Sequence, residues 1–280
     1  MALAQGFDLV SIVKSPSLSL YQRLRRLRRP RVLMDINDAL WLQKNGDWAE
    51  LDAMLREVDA VICENNYLSN YATRFNPRTF VIDDAPQLEV FDRWRAKIRR
   101  SPEEIVVGWI GGQSNIGPLF KILEPLEALS IRYPQLRLRV VGAPESALPP
   151  FERVRASCLP TYSQEQMVRE ILKFDIGLFP LFHNEDGRAR GTLKAKVYMS
   201  GEAVAVCENY GENPGLIEDG YNGFLATSPQ DWYERLDWLI THPSERATIA
   251  ERGLQVMRRS YTAERVFQRL LDAFDQTLTV

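Results

Sequence analysis

Residues 105–115 read IVVGWIGGQSN. An apolar run of strand length ends in two glycines and three small polar residues, and an amphipathic stretch over about 116–132 follows. A strand that turns through Gly-Gly into a helix is the opening of a βα unit. Downstream, LRLRVVG (136–142) and RVRASCL (153–159) read as strands, and SQEQMVREILK (163–173) as a helix, with Ser163 as N-cap and Gln166 completing a capping box. DIGLFPL (175–181), AVAV (203–206) and NGFLA (222–226) are further strands. From Ser228-Pro229 onward the chain reads as helix. Upstream, FDLVSIV (7–13), RVLMDI (31–36), DAVICE (59–64) and TFVID (79–83) alternate with helical stretches near 18–29, 48–57 and 66–75. The strands are rich in Val and Ile without strict alternation, as expected where both sheet faces are covered. The fold class is therefore α/β with parallel sheets.

The 280 residues favour two domains. The stretch DAPQLEVFDRWRAKIRRSPEE (84–104), with Pro86 and Pro102 around a mixed-charge middle, breaks the alternation. The expected division is a partial Rossmann-like domain over 1–87, a linker over 88–104, and a complete Rossmann-like domain over 105–262. A final helix over 263–280 is expected to return toward the first domain. The first half begins in mid-pattern, without an opening strand and glycine-rich loop. There is no repeat of solenoid period.

The formal net charge of −2 argues against nucleic acid as a partner. Cys63, Cys158 and Cys207 are scattered and odd in number, which indicates neither a disulfide framework nor a zinc site and points to a reducing, cytoplasmic setting. No apolar run reaches the ~20 residues of a membrane span. MALAQGFDLVSIVK lacks the basic start of a signal peptide.

Several stretches could carry chemistry. Gly111 and Gly112 let a backbone approach a ligand closely, and amides at a helix start attract phosphate. The same glycines equally serve a tight turn with no ligand, and the GxGxxG spacing is absent. GRARGTLKAK (187–196) crowds Arg188, Arg190, Lys194 and Lys196 together before and within a helix starting near Thr192. It is either a solvated basic loop or half of an anion site, Arg as a fork and Lys as a mobile point charge. Both stretches leave carboxyl ends of strands, where doubly wound sheets gather ligands. YQRLRRLRRPR (21–31) holds six arginines, with Leu20, Leu24 and Leu27 as one apolar stripe. A packed helix with a solvated Arg face is the favoured reading; peripheral contact with anionic lipid through Arg23–Arg31 is the alternative. Asp35 and Asp38 at the end of RVLMDI could orient a hydroxyl or act as base, or Asp38 could cap the next helix. His183 follows a strand end and His242 precedes a helix; neither has a metal partner at useful spacing.

GWIGGQSN, RLRVVG, FDIGLFPL and GTLKAKVYMSGEAVAVCENYGENPGLIEDGYNGFLA together resemble glycosyltransferase family 4, a retaining, nucleotide-sugar-dependent family with the two-domain GT-B fold. Lys194-x-x-x-Tyr198-Met199 is similar to that family's "K…YMA.G.PVV" signature, and residues 217–224 to its "I.DG.NGF". VLMDINDALW and VDAVICENNYLSNYA resemble its first domain more weakly. The resemblance implies that Gly111 and Gly112 hold a donor diphosphate through backbone amides. Lys194 and an arginine, Arg188 or Arg190, would neutralise it, and Tyr162 would lie near the nucleobase. Gln113, Glu212 and Asn213 join the donor-binding set; Arg188, Lys194, Asp35 and Asp38 form the catalytic one. The implied donor is a UDP- or GDP-sugar, used as substrate without cofactor or metal, with the sugar in the interdomain cleft. The acceptor would be a glycan, lipid or protein docked on the first domain. The chain departs from the family at Val197 and Ala189, where paired glutamates are common, and lacks the first-domain histidine of some members. A non-catalytic GT-B-like partner subunit is thus the alternative, and a nucleotide-sugar epimerase a weaker one.

Overall fold

The computed structural model describes residues 6–13, 17–27, 30–42 and 48–279. The chain divides into two units, each with its own parallel sheet. The first draws on Met1–Asp84, Asn184–Gly191 and Glu264–Val280, the second on Ala85–His183 and Thr192–Ala263.

In the first unit the strands β1 (Leu9–Val13), β2 (Arg31–Ile36), β3 (Ala60–Cys63) and β4 (Thr79–Val81) lie in sequence order. The period-two geometry of a strand sorts their side chains between two faces. Val32, Met34, Ile36, Val61 and Cys63 join one buried cluster with Leu51, Met54 and Leu55 of α2 (Trp48–Glu57) and Leu68 and Ala72 of α3 (Asn66–Ala72). Leu33, Ala60 and Ile62 point the other way. That face is packed by Leu270 and Phe274 of α12 (Ala263–Leu278), from the far end of the chain. Helix α1 (Leu18–Arg25) buries Tyr21 and Leu24. Leu20, expected in that stripe, is exposed, because the helix turns Tyr21 inward to donate from its hydroxyl to the Glu57 carbonyl at 2.5 Å. Arg28 and Arg29 of the basic stretch lie outside the described residues. Arg25 and Arg31 both pair with Asp59, at 3.4 and 2.9 Å, so part of that stretch is an internal clasp.

The second unit orders its strands β10-β9-β8-β5-β6-β7. These are β5 (Ile105–Ile110), β6 (Leu136–Val141), β7 (Ala156–Leu159), β8 (Ile176–Phe179), β9 (Val204–Glu208) and β10 (Phe224–Ala226). The winding reverses between β5 and β8, which makes their carboxyl ends a switch point. One face is covered by α5 (Leu123–Arg132) and α10 (Pro229–Thr241), the other by α4 (Leu88–Arg95), α6 (Gln164–Ile171), α8 (Leu193–Ser200) and α11 (Pro243–Ser260). The helix expected over 116–132 is instead a 3-10 stretch, Gly117–Ile122, followed by α5. Pro125, which cannot donate to the residue four before it, is tolerated only in the first turn.

Residues 88–104, expected as a linker, build part of this unit. Leu88 and Phe91 are buried in its core. Arg95 donates to the Ser200 carbonyl at 2.8 Å, and Arg100 to the carbonyls of Gly201 and Glu202 at 2.8 and 2.7 Å. The mixed charge that suggested a linker is thus a cationic clamp on the C-terminal end of α8, where unpaired carbonyls favour cations. Among the described residues no helix is long and apolar enough to cross a membrane.

Candidate functional site

At the switch point β5 and β8 pair only through Val107 with Ile176 and Gly108 with Gly177. The paired glycines leave room for two rings. A Cβ on Gly108 would lie 2.1 Å from Phe174, and one on Gly177 would lie 2.2 Å from Tyr198. Tyr198 then bridges the diverging strands. Its hydroxyl accepts from the Ile110 amide at 3.0 Å and donates to the Leu178 carbonyl at 3.0 Å. Complete burial pushes this phenol far above its ordinary pKa, so it serves as a neutral hydroxyl.

Lys194 lies four residues before Tyr198, on the same face of α8. Once Tyr198 is fixed, Lys194 is carried to the end of β5. Its ammonium sits 4.6 Å from the ring centroid of Trp109 and 5.3 Å from that of Phe179. A Cβ on Gly111 would fall 2.8 Å from that nitrogen and 2.7 Å from the Trp109 ring. Gly111 is therefore a glycine because the lysine occupies its side-chain space. Its amide is committed to the Val141 carbonyl at 2.9 Å, which overturns the expectation that this amide holds phosphate. Gly112 precedes the 3-10 turn Gln113–Asn115, whose first amides have no acceptor within the turn, and Gln113 is exposed. At the next strand end Gly142 has φ +100°, and a Cβ there would meet the Gly111 carbonyl at 2.4 Å and Tyr162 at 3.0 Å. Gly111, Gly112, Gln113, Tyr162 and Lys194 thus share one carboxyl-end rim.

The other expected residues go elsewhere. Asn213 is buried and donates to the Glu208 carbonyl at 3.0 Å; it supports its own loop and is not exposed to a ligand. Glu212 precedes the short helix α9 (Asn213–Leu216). Lys196 is fully buried, 4.3 Å from the Tyr261 ring centroid. Arg188 and Arg190 belong to the first unit, whereas Lys194 belongs to the second. They flank the end of α7 (Glu185–Ala189), a short helix in a stretch expected as loop. Arg190 forms an ion pair with Asp186 at 2.9 Å, and Arg188 lies 3.8 Å from Glu185. Asp35 ends β2 in the first unit; Asp38 precedes a 3-10 turn, Leu40–Leu42, that comes before any α-helix. Residues 217–224 form a structural turn. Asn222 accepts from the Glu218 amide at 2.9 Å, Asp219 accepts from the Leu225 amide at 2.9 Å, and Gly220 has φ +75°.

A sequence profile described as glycosyl transferase-like matches residues 121–272, more than half of the chain. The chain belongs to this glycosyl transferase-like family. Three solved structures share its architecture. Sucrose-phosphate synthase from Thermosynechococcus elongatus has a TM-score of 0.72 at 15% identity, over 98% of this chain and 74% of that one. HepE of Anabaena, solved with UDP and glucose, has 0.73 at 15%, over 98% and 80%. A glycosyltransferase from Rickettsia africae has 0.71 at 13%, over 99% and 80%. At such identities the likeness establishes the fold, which is GT-B. No curated protein matches the chain.

This glycosyl transferase-like chain also holds a cluster that sequence reasoning did not find. Glu208, fully buried at the end of β9, accepts from Lys121 at 2.6 Å and lies 2.8 Å from the His183 Nε2. His183 stacks on Tyr210, with ring centroids 4.5 Å apart. The histidine read as incidental is thus tied to a buried carboxylate. The available signal was a glutamate closing an otherwise apolar strand, since a charge is buried only with partners. Among the described residues no three His, Cys, Asp or Glu side chains converge to hold a metal ion.

Proposed function

We propose that this protein transfers a sugar from a UDP- or GDP-sugar to an acceptor, as a retaining, metal-independent glycosyltransferase of family 4. The observation that carries the reading is Lys194, held by Tyr198 so that its ammonium stands against Gly111 at the switch point. A cation in the first turn of a helix opposes the helix dipole at a cost of ~0.3–1 kcal/mol. An anion lying between that ammonium and the first amides of α8 would offset this cost. In the proposed reaction the lysine stabilises the diphosphate as the glycosidic bond breaks and negative charge grows on the leaving oxygen. Gly112 and Gln113 supply backbone amides, and Tyr162 lies beside the base. Arg188 is assigned to the same diphosphate. The reading includes cytoplasmic operation beside anionic lipid, with Arg23 and Arg26 exposed on α1; binding to vesicles of that composition tests this part.

Calorimetry with UDP and GDP is the direct test. Lys194→Ala is expected to weaken nucleotide binding at least tenfold, about 1.5 kcal/mol, as for a hydrogen bond to a charged group. Unchanged affinity would remove the lysine from the site. One observation favours a second reading, a module that binds nucleotide without transfer. Val197 and Ala189, where the resembled family has glutamates, are both buried among apolar side chains, so no carboxylate stands there. Incubation with donor sugars, followed by detection of released sugar or transferred product, separates the two.

A further inference from the structure

The first unit contains a cavity of about 570 Å³ that the donor reading does not use. Tyr67, Asn70, Tyr71 and Arg74 line it at positions i, i+3, i+4 and i+7, one side of α3 and the residues just beyond it. Packing does not require that side, because Leu68 and Ala72 on the other already bury the helix. Trp41, from the turn after β2, completes the wall. Its ring lies parallel to that of Tyr71, with centroids 3.7 Å apart and planes at 5°, and Tyr67 continues the stack at 6.1 Å and 23°. Both tyrosine hydroxyls are anchored, Tyr71 donating to Asp52 at 2.6 Å and Tyr67 to Glu185. The rings are therefore fixed in orientation before any ligand arrives.

Charge decides the class of ligand. Arg74 lies 4.4 Å from the Tyr71 ring centroid and, among the described residues, has no carboxylate within ion-pair distance. Arg188 also lines the cavity, and the single lining carboxylate, Glu185, is engaged by Tyr67. Rigid aromatic rings suit the C–H faces of a pyranose. A planar amide at Asn70 suits paired hydroxyls, and an excess guanidinium suits an acidic substituent in a bidentate pair. The cavity lies beyond the carboxyl ends of β2 and β3, the side of the sheet where α/β proteins take ligands.

We propose that this cavity binds an acidic sugar residue, one bearing a carboxylate or a phosphate, as part of a glycan acceptor. The inference rests on the transferase reading for the word acceptor, but not for the binding. Calorimetry on the full chain compares trigalacturonate, glucose 6-phosphate and neutral maltotriose, with UDP titrated into the same samples. At least one acidic probe is expected to bind roughly tenfold more tightly than maltotriose, and Arg74→Gln to abolish that margin. The first two probes tell carboxylate from phosphate. Added salt should weaken the acidic probes and leave maltotriose unchanged, which tests the charge without any variant. Equal affinities, a margin that survives Arg74→Gln, or no uptake of any sugar would each overturn the proposal. Loss of UDP binding with retained acidic-sugar binding would instead overturn the donor site alone.

Discussion

Lys194 and Gly111 illustrate how one residue's identity sets another's. The space beside Gly111 is filled by an ammonium and an indole, so Gly111→Ala is expected to displace Lys194 and lower UDP affinity at least tenfold. Because both changes act on one interaction, the losses in Gly111→Ala and Lys194→Ala should not add, and a double-mutant cycle measures the coupling. Tyr198→Phe removes the hydroxyl that satisfies the Ile110 amide and the Leu178 carbonyl. Two buried backbone groups then lack partners, and urea denaturation should register a loss of roughly 2–4 kcal/mol. The thiols give a third check. Burial pushes Cys63 up to about 12 and Cys207 higher still, while Cys158 is partly exposed. A thiol reagent at mildly alkaline pH should therefore label Cys158 first in the folded protein. At this scale the sequence disclosed Lys194, because a cation at a helix start is locally unfavourable and stands out. It did not disclose the amide of Gly111, whose partner Val141 is 30 residues away, nor Glu208, whose partners come from two other segments.

Elements were legible where the signal is local. The capping box at Ser163 and Gln166 forms as its spacing predicts, and Ser228 caps α10 with Asp231. The amides of Ser228 and Thr227 hold the Asp231 carboxyl below the usual carboxylate range. A pKa lowered in the folded state contributes stability above the unfolded value and loses it as pH falls through the folded one. Ser228→Ala should cost about 1 kcal/mol at neutral pH. An Asp231→Asn variant should be less stable than the parent at neutral pH, with the difference closing in acid below the ordinary aspartate range; thermal melts across pH measure it. Element boundaries failed where distant partners intervene. Helix α4 looked like a charged linker because its apolar stripe is only Leu88, Phe91 and a half-buried Trp94, and its arginines find their carbonyls on α8, about a hundred positions later.

For the whole molecule, alternation of strands with helices was enough to give two parallel sheets, since a parallel connection needs a crossover and the sequence supplies one each time. Strand order was not readable, because the reversal between β5 and β8 is set by packing of Phe174 and Tyr198 over two glycines. The first sheet has one face closed by Leu270 and Phe274. Deleting residues 263–280 should expose that face, seen as binding of a hydrophobic dye, while the nucleotide affinity of the second unit persists. The same arrangement bears on how the protein is made. A ribosome releases the N-terminal strands first, yet the helix that shields them is among the last segments to emerge. Nearly the entire polypeptide must be synthesised while Leu33, Ala60 and Ile62 await their cover. The earliest-born part of the chain is thus the last to mature, and holdase chaperones have their longest window of access there.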